Sequence, residues 1–442
     1  MLPLNVTLSY YKRKDIQEEI IMAAANKEVA VRYDDKFGNR PDVLKNPNDI
    51  LELAKQKATS FHCSEELWSN PLQLNPNMKK NELDSLRIGW DLVLDIDCSF
   101  FEYSKIAADL VVKALKFCEI NGISCKFSGN RGFHIGVPFE SFPEMIGNEK
   151  TRDMFPNAAR KIACYIKELI KKPLGDKIMQ LEKNNFSRVM EKTKQDANKI
   201  TYYEQNDLND KVARLNVEPF LHIDTLLISS RHLYRMPYSL HEKSGLASIP
   251  INAAQILDFR KEDANPKNLK ISKYMFLDRG NIVRGEAKKL IMQAFDFTSK
   301  MEKQTEFKIK REYTLKSAIP EEFFPPCIKL ISNGLSDGRK RALFILINFL
   351  ASLGWKYEDI ENYLKEWNKR NKEPLRENYL LGQLRYHKSQ KKKILPPNCN
   401  SNMHYIGIGV CKPDNLCSKI KNPVTYALRK SPFSQKYDKQ TK

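Results

Sequence analysis

Two carboxylates, Asp95 and Asp97, sit inside 91-DLVLDIDCSF-100, a run otherwise apolar enough for a buried β-strand. Residues i and i+2 of a strand point to the same face, so Val93, Asp95 and Asp97 share one face while Leu94 and Ile96 line the other. Carboxylates this close repel and raise each other's pKa. A bound divalent cation removes the conflict, and Mg²⁺ is commonly held by one or two carboxylates together with substrate phosphates. Two acids at the wet end of a strand would give the same pattern. A second stretch, 125-CKFSGNRGFHIGVP-138, places a Gly-bounded turn between two strands and displays Ser128, Arg131 and His134. Ser and backbone amides donate to phosphate oxygens, Arg binds them bidentately and His adds a further donor. A third, 222-HIDTLLISSRHLYRMPYSLHEKSGL-246, carries Asp224 in a strand-like run, followed by Arg231, Arg235, His241 and Lys243. A third carboxylate would complete a two-metal clamp that aligns an attacking hydroxyl with a nucleotide's α-phosphate. His241 and Lys243 would neutralise the triphosphate.

Periodicity predicts the elements that position these groups. Residues 1–60 read as mostly helical with an extended piece near 28-EVAVRYD-34. Ile88–Asp97 reads as a strand, Tyr103–Asn121 as an amphipathic helix closed by Gly122, and Ser124–Phe127 and Phe133–Val137 as two strands joined by the SGNRG turn. Residues 151–212 are charged and helix-rich, an expected insertion. Strand character returns at 217-VEPFLHIDTLLI-228, and 285–300 read as a closing helix. The polar stretch 301-MEKQTEFKIKREYTLKSAIPEEF-323 has few core-building residues, so the domain boundary is expected there. Beyond it the chain reads as helical up to Lys393 and loop-rich afterwards.

At 442 residues the chain is long enough for two or three cores. Its net charge of +20 is uneven: from Glu321 onward 23 Lys+Arg face 11 Asp+Glu. More than half of the excess therefore lies in the last quarter of the chain, which points to a polyanion-facing module, although a soluble surface would also carry it. No apolar stretch follows a basic start at the N-terminus, so no signal peptide is expected. The most apolar window, 342-ALFILINFLASLGW-355, is too short to span a bilayer and reads as a core helix. Nine cysteines scattered over the chain argue for a reducing compartment, cytoplasmic or nucleoid-associated, without disulfides. Four of them, Cys327, Cys399, Cys411 and Cys417, sit among Pro and Gly in 325-PPCI-328, 396-PPNC-399, 409-GVC-411 and 416-LC-417. Four thiolates suit a structural zinc or a [4Fe–4S] cluster, and the wide spacing is unlike paired CxxC zinc knuckles. Arg339, Lys340 and Arg341 open a helix nearby, a natural place for phosphate. Trp355, Trp367 and Tyr386 read as core or helix packing.

DLVLDID, SGNRGFHIGV and RHLYRMPYSLHEKSGL resemble the three signature motifs of the archaeo-eukaryotic DNA primase catalytic subunit, over roughly residues 8–300. The resemblance implies an α+β catalytic core around an RRM-like sheet. Within it Asp95, Asp97 and Asp224 would be the acids that hold Mg²⁺ or Mn²⁺, and Ser128, Arg131, His134, His241 and Lys243 would contact the incoming nucleotide. Two features depart from the pattern. The Asp224–His241 spacing is one residue short, with Ser or Thr in place of a second acid. No CxxC pairs Cys98, Cys118, Cys125 and Cys164, and His62–Cys63 is the sole adjacent pair, so the family's zinc knuckle is not expected. The segments 325-PPCIKLISNGLSDGRKRALFILINFLASLG-354 and 411-CKPDNLCSKIKNPVTY-426 resemble the C-terminal domain of the primase large subunit, over about 318–430. That resemblance implies a mostly α-helical domain holding a [4Fe–4S] cluster through Cys327, Cys399, Cys411 and Cys417.

The expected organisation is a catalytic domain over 1–300 with a helical insertion about 151–212, a linker over 301–317, the iron–sulfur domain over 318–430 and a basic tail over 431–442. The expected function is that of a single-chain, monomeric DNA primase. This nucleotidyltransferase would bind single-stranded DNA template and NTPs or dNTPs, release an RNA or DNA primer, and have replisome proteins but no membrane as partners. Arg339, Lys340 and Arg341 would contact nucleic acid or the initiating nucleotide. The alternatives are a primase-polymerase or repair polymerase of the same superfamily extending primers with dNTPs, and a non-catalytic iron–sulfur DNA-binding replication factor.

Overall fold

The computed structural model describes residues 2–33, 36–205, 210–223, 228–315, 317–389, 394–399, 402–432 and 434–436, with backbone alone at 302–315, 389, 402–403 and 434–436. The chain divides into two compact units, Met1–Met301 and Glu302–Lys442. Among the described residues no helix is long and apolar enough to cross a membrane.

The first unit mixes helices with antiparallel sheets. Helices α1 (Leu4–Tyr11) and α2 (Lys14–Ala24) lead into β1 (Val29–Tyr33), β2 (Lys36–Phe37) and β3 (Ser60–Ser64). Then come β4 (Leu92–Cys98), α3 (Phe101–Phe117), β5 (Ser124–Phe127) and β6 (Phe133–Val137). After an excursion that includes α4 (Asn157–Leu181), the chain adds β7 (Leu221–Ile223), β8 (Leu233–Arg235), β9 (Pro250–Ile251) and α5 (Lys288–Glu312). Five strands form one sheet in the order β7-β4-β6-β5-β9, and four form another in the order β8-β3-β1-β2.

Alternation along the strands builds the core of the five-stranded sheet. On one face Leu94 and Ile96 are fully buried, each contributing about 1.5–3 kcal/mol of burial. On that side Phe127, Phe133 and Phe101 pack ring against ring, with centroids 5.5–6.0 Å apart. The opposite face carries a polar row. Asp95 lies opposite His134, and His134 opposite Lys126, across three adjacent strands.

Several elements depart from the sequence expectation. The run expected as one strand over Ile88–Asp97 is two, Arg87–Trp90 and Leu92–Cys98. Between them Asp91 is fully buried, bonded to Lys27 (2.8 Å), to Arg279 (2.8 Å) and to the Phe139 amide (3.0 Å). A buried acid needing three partners interrupts strand pairing more than an apolar residue would. Helix α3 stops at Phe117, before Gly122, because Glu119 enters the left-handed region at φ 70°. The expected helical insertion also contains a hairpin, Thr201–Gln205 with Lys211–Leu215, whose Tyr, Val and Thr residues favour strand. The polar stretch after residue 300 continues α5 as far as Glu312 instead of forming a coil linker. Polarity alone did not end that helix, since no Gly or Pro interrupts it.

The second unit is mainly helical: α6 (Pro326–Ser332), α7 (Arg339–Ser352), α8 (Tyr357–Lys369), α9 (Glu377–Ser389) and α10 (Pro423–Lys430). Its own core joins α7 residues such as Leu343, Leu346 and Leu350 to Leu364 and Trp367 of α8 and Leu380 and Leu384 of α9. Trp367 is buried, with Nε1 donating to the Ile331 carbonyl at 2.8 Å. Of the aromatics read as core or helix packing, Tyr386 is 63% exposed on α9.

Candidate active site

A cavity of about 350 Å³ opens between the faces of the two sheets of the first unit. It is lined by Asp95, Asp97, Ser128, Arg131, His134, His241 and Lys243, seven of the eight site residues expected there from sequence. The eighth, Asp224, lies outside the described residues. Arg32, His62, Arg235 and Glu242 join them.

One wall is acidic and belongs to the five-stranded sheet. The Asp95 and Asp97 side chains are 47% and 42% exposed, so their strand presents them to solvent while its alternate residues stay in the core. Arg131 donates to Asp97 at 2.7 Å, and His134 Nε2 lies 3.5 Å from Asp95. A guanidinium thus compensates Asp97, while a neutral imidazole stands beside Asp95. The turn carrying Arg131 presses hard on the acid strand: a Cβ on Gly132 would lie 1.8 Å from the Ile96 carbonyl oxygen. Glycine is therefore required there by close approach. Within the turn Ser128 accepts from the Gly132 amide at 3.3 Å.

His134 is buried, and its Nδ1 has no hydrogen-bond partner among the described residues. Burial and then Lys126 push its pKa well below the ordinary imidazole value, so the ring is neutral. Lys126 is itself fully buried, donating to Ser248 Oγ at 2.8 Å, and burial lowers its pKa to about 7. A buried ring nitrogen left unpaired is costly, and a ligand that bonds it recovers that cost.

The other wall is basic. Its strand β8 follows Asp224 in sequence but pairs with β3 of the four-stranded sheet, Arg235 opposite His62. Arg235 is 7% exposed and donates to the Leu240 carbonyl (2.6 Å) and to Glu242 (2.7 Å). Arg32 reaches Glu242 at 3.1 Å. The Lys243 and Ser244 amides donate to His241 Nδ1 at 3.2 and 3.3 Å, which leaves the proton of the neutral ring on Nε2. Gly129, at φ 100°, lets the His241 segment close on the SGNRG turn, since a Cβ there would sit 2.9 Å from His241 Cβ.

The structure separates some residues that sequence had grouped. Arg231 leaves the cavity and grips buried Glu28 through Nε (2.9 Å) and Nη2 (2.6 Å). His62 and Cys63, neighbours in a strand, face opposite ways: His62 lines the cavity and Cys63 packs into the core. They cannot ligate one ion together. Cys98, Cys118 and Cys125 are buried thiols, and Cys164 is half-buried.

Burial, followed by the charge of Arg235, depresses the pKa of both His62 and His241, the latter to about 4. The folded rings stay neutral where unfolded ones, near pH 6.5, take up protons. Their contribution to stability is complete above about pH 6.5 and declines as pH falls toward 4. The urea midpoint is therefore expected to drop between about pH 7 and pH 5, and less steeply in His241→Gln. Equal pH slopes for the two proteins would contradict this.

In the second unit Asp337, Gly338, Arg339, Lys340, Arg341 and Leu375 line a cavity of about 250 Å³ at the start of α7. Three cations at the positive end of a helix dipole oppose it, an arrangement that an anion relieves. Arg339 bonds Glu373 at 3.1 Å, and Lys340 stands 5.3 Å from the centre of the Tyr379 ring.

The four cysteines of this unit come within electrostatic reach of one another. Burial raises the Cys327 pKa to about 12 and that of Cys399 to about 11, and in both the Cys411 and Cys417 thiols push further upward. Among the described residues no three His, Cys, Asp or Glu side chains stand in a ligating arrangement.

No family model matches the chain, and no curated protein sequence does. Among solved structures, it is similar to the polymerase domain of Mycobacterium tuberculosis ligase D in complex with DNA, at 13% identity, TM-score 0.33, over 66% of this chain and 88% of that one.

Proposed function

We propose that the chain is a single-chain DNA primase whose first unit makes phosphodiester bonds in the cavity between Asp95/Asp97 and Arg235/His241/Lys243. The observation carrying this reading is that one cavity collects a carboxylate pair and five phosphate donors contributed by three separate sequence motifs. Asp95, Asp97 and Asp224 would hold Mg²⁺ or Mn²⁺. The donor set fits, because two half-exposed carboxylates share one strand face and Asp97 already draws the Arg131 guanidinium as a counter-charge. Such ions supply positive charge that activates the attacking hydroxyl and stabilises the leaving pyrophosphate.

The protein's own groups divide the remaining work. Ser128, Arg131 and His241 Nε2 bind and orient the triphosphate. Lys243 neutralises charge as it accumulates on the leaving group. A 3′ oxygen bonds to the α-phosphorus, the bond from that phosphorus to the bridging oxygen breaks, pyrophosphate departs, and the hydroxyl proton passes to water. The RRM-like character of the five-stranded sheet belongs to the same reading.

For the second unit we infer a [4Fe–4S] cluster held by Cys327, Cys399, Cys411 and Cys417. Four thiols carried on Pro- and Gly-flanked segments are the kind of donor set that such a cluster takes as thiolates. A cluster would supply structural cross-linking of the loops that carry them. Arg339, Lys340 and Arg341 would receive the initiating nucleotide's 5′ phosphates or the template. Anaerobically purified protein is expected to absorb near about 400 nm, and Cys399→Ser to lose that band. A colourless protein with full iron-free stability would contradict the cluster.

Comparing NTPs with dNTPs on primed and unprimed single-stranded DNA tests the functional assignment. Strand initiation without a primer supports the primase. Extension confined to primed templates with dNTPs would replace it by a primase-polymerase or repair polymerase.

A further inference from the structure

Glu242 is the acid of the cavity that faces away from the Asp95/Asp97 wall. Its side chain is 9% exposed and both oxygens are engaged. Oε1 takes Arg32 at 3.1 Å, and Oε2 takes Arg235 at 2.7 Å and the Ser60 hydroxyl at 3.4 Å. Arg235 is pinned from its other side by the Leu240 carbonyl, so the guanidinium has little freedom. A carboxylate clasped by two guanidiniums is poorly disposed to ligate a metal. It presents to them the same pair of anionic oxygens that an edge of a phosphate group would present.

Two consequences follow, both resting on the reading of this cavity as a triphosphate site. Glu242 fixes Arg32 and Arg235 side by side before any ligand arrives, which removes the ordering cost of two long side chains. It also cancels one positive charge on the wall formed by Arg32, Arg235 and Lys243, which reduces the wall's attraction for polyphosphate.

We propose that Glu242 is a built-in counter-ion of the basic wall, a positioning residue that presets Arg32 and Arg235 for a polyphosphate and weakens their hold enough for pyrophosphate to leave. A purely structural ion pair makes the opposite forecast, since breaking it would disorder the arginines and loosen anion binding.

The full chain is titrated with inorganic tripolyphosphate and pyrophosphate by calorimetry, as wild type, Glu242→Gln and Glu242→Asp. Wild type is expected to bind tripolyphosphate. Glu242→Gln is expected to bind pyrophosphate about tenfold more tightly, and in primer extension to show lower nucleotide KM together with lower kcat. Glu242→Asp, which keeps the charge, is expected to stay near wild type. A folded Glu242→Gln that binds pyrophosphate equally or more weakly overturns the counter-ion. Wild type that fails to bind tripolyphosphate overturns instead the reading of the cavity as a phosphate site. If Glu242→Gln does not fold, Arg32→Gln serves: about tenfold weaker pyrophosphate binding supports the clasp, and unchanged binding overturns it.

Discussion

Asp97→Asn is expected to reduce nucleotide incorporation by about 10³-fold or more while leaving the fold intact, and Asp95→Asn to do the same. A metal-held charge in the transition state is worth several kcal/mol, and each 1.36 kcal/mol is a factor of ten in rate. The stability side is small. Asp97 is 42% exposed and its recorded partner is Arg131, itself 47% exposed, and pairs of this kind contribute about 0–1 kcal/mol. Urea unfolding followed beside steady-state incorporation separates the two effects. A variant with near-normal incorporation would show the acids idle and revive the non-catalytic DNA-binding alternative. A variant that lost activity and several kcal/mol of stability together would make Asp97 a structural residue.

Asp91→Ala should show the reverse pattern, a loss of about 3–5 kcal/mol in unfolding free energy. Asp91 is fully buried, and Lys27 beside it is 4% exposed. Burial alone would raise the Asp91 pKa, but Lys27 and Arg279 outweigh it and hold the group below the ordinary carboxylate range. Removing the carboxylate strands the Lys27 ammonium in the interior, with the Ser64 carbonyl as its remaining hydrogen-bond partner among the described residues and the Tyr234 ring 5.5 Å away. Asp91→Asn keeps the shape and the hydrogen bond to the Phe139 amide, so it should cost less than alanine. A urea-derived loss under about 1 kcal/mol for the alanine variant would contradict the role of this ion cluster.

The contrast between Asp91 and Asp97 shows what sequence can and cannot convey. Both acids lie in one run of residues, DLVLDID, and periodicity correctly put Asp95 and Asp97 on a common face. It gave no sign that Asp91 breaks the strand, because its partners come from Lys27 and Arg279, distant in sequence. The turn motif was legible for local reasons: Ser128, Arg131 and His134 are set by a tight turn between strands and its glycines. Arg32, His62 and Glu242 were missed as site residues. Two sit in strands of the other sheet, and only the pairing of β8 with β3 brings that sheet to the cavity. Alternation in 60-SFHCS-64 places His62 on a polar face, but nothing in one sequence says which cavity that face meets. The partner of Arg231 was illegible for the same reason, since Glu28 lies 203 residues away. In the second unit the apolar window became α7 as expected, and of the aromatics read as core or helix packing Trp367 is buried while Tyr386 is exposed on α9.

The most direct measurement is primer synthesis by the purified chain alone on unprimed single-stranded DNA, with Mg²⁺ or Mn²⁺ and labelled nucleotides. The expected result is short labelled strands from wild type, none from Asp95→Asn or Asp97→Asn, and none from wild type when the divalent ion is chelated. Strands of equal yield from wild type and both variants, or strands formed in the presence of chelator, would contradict the proposed centre.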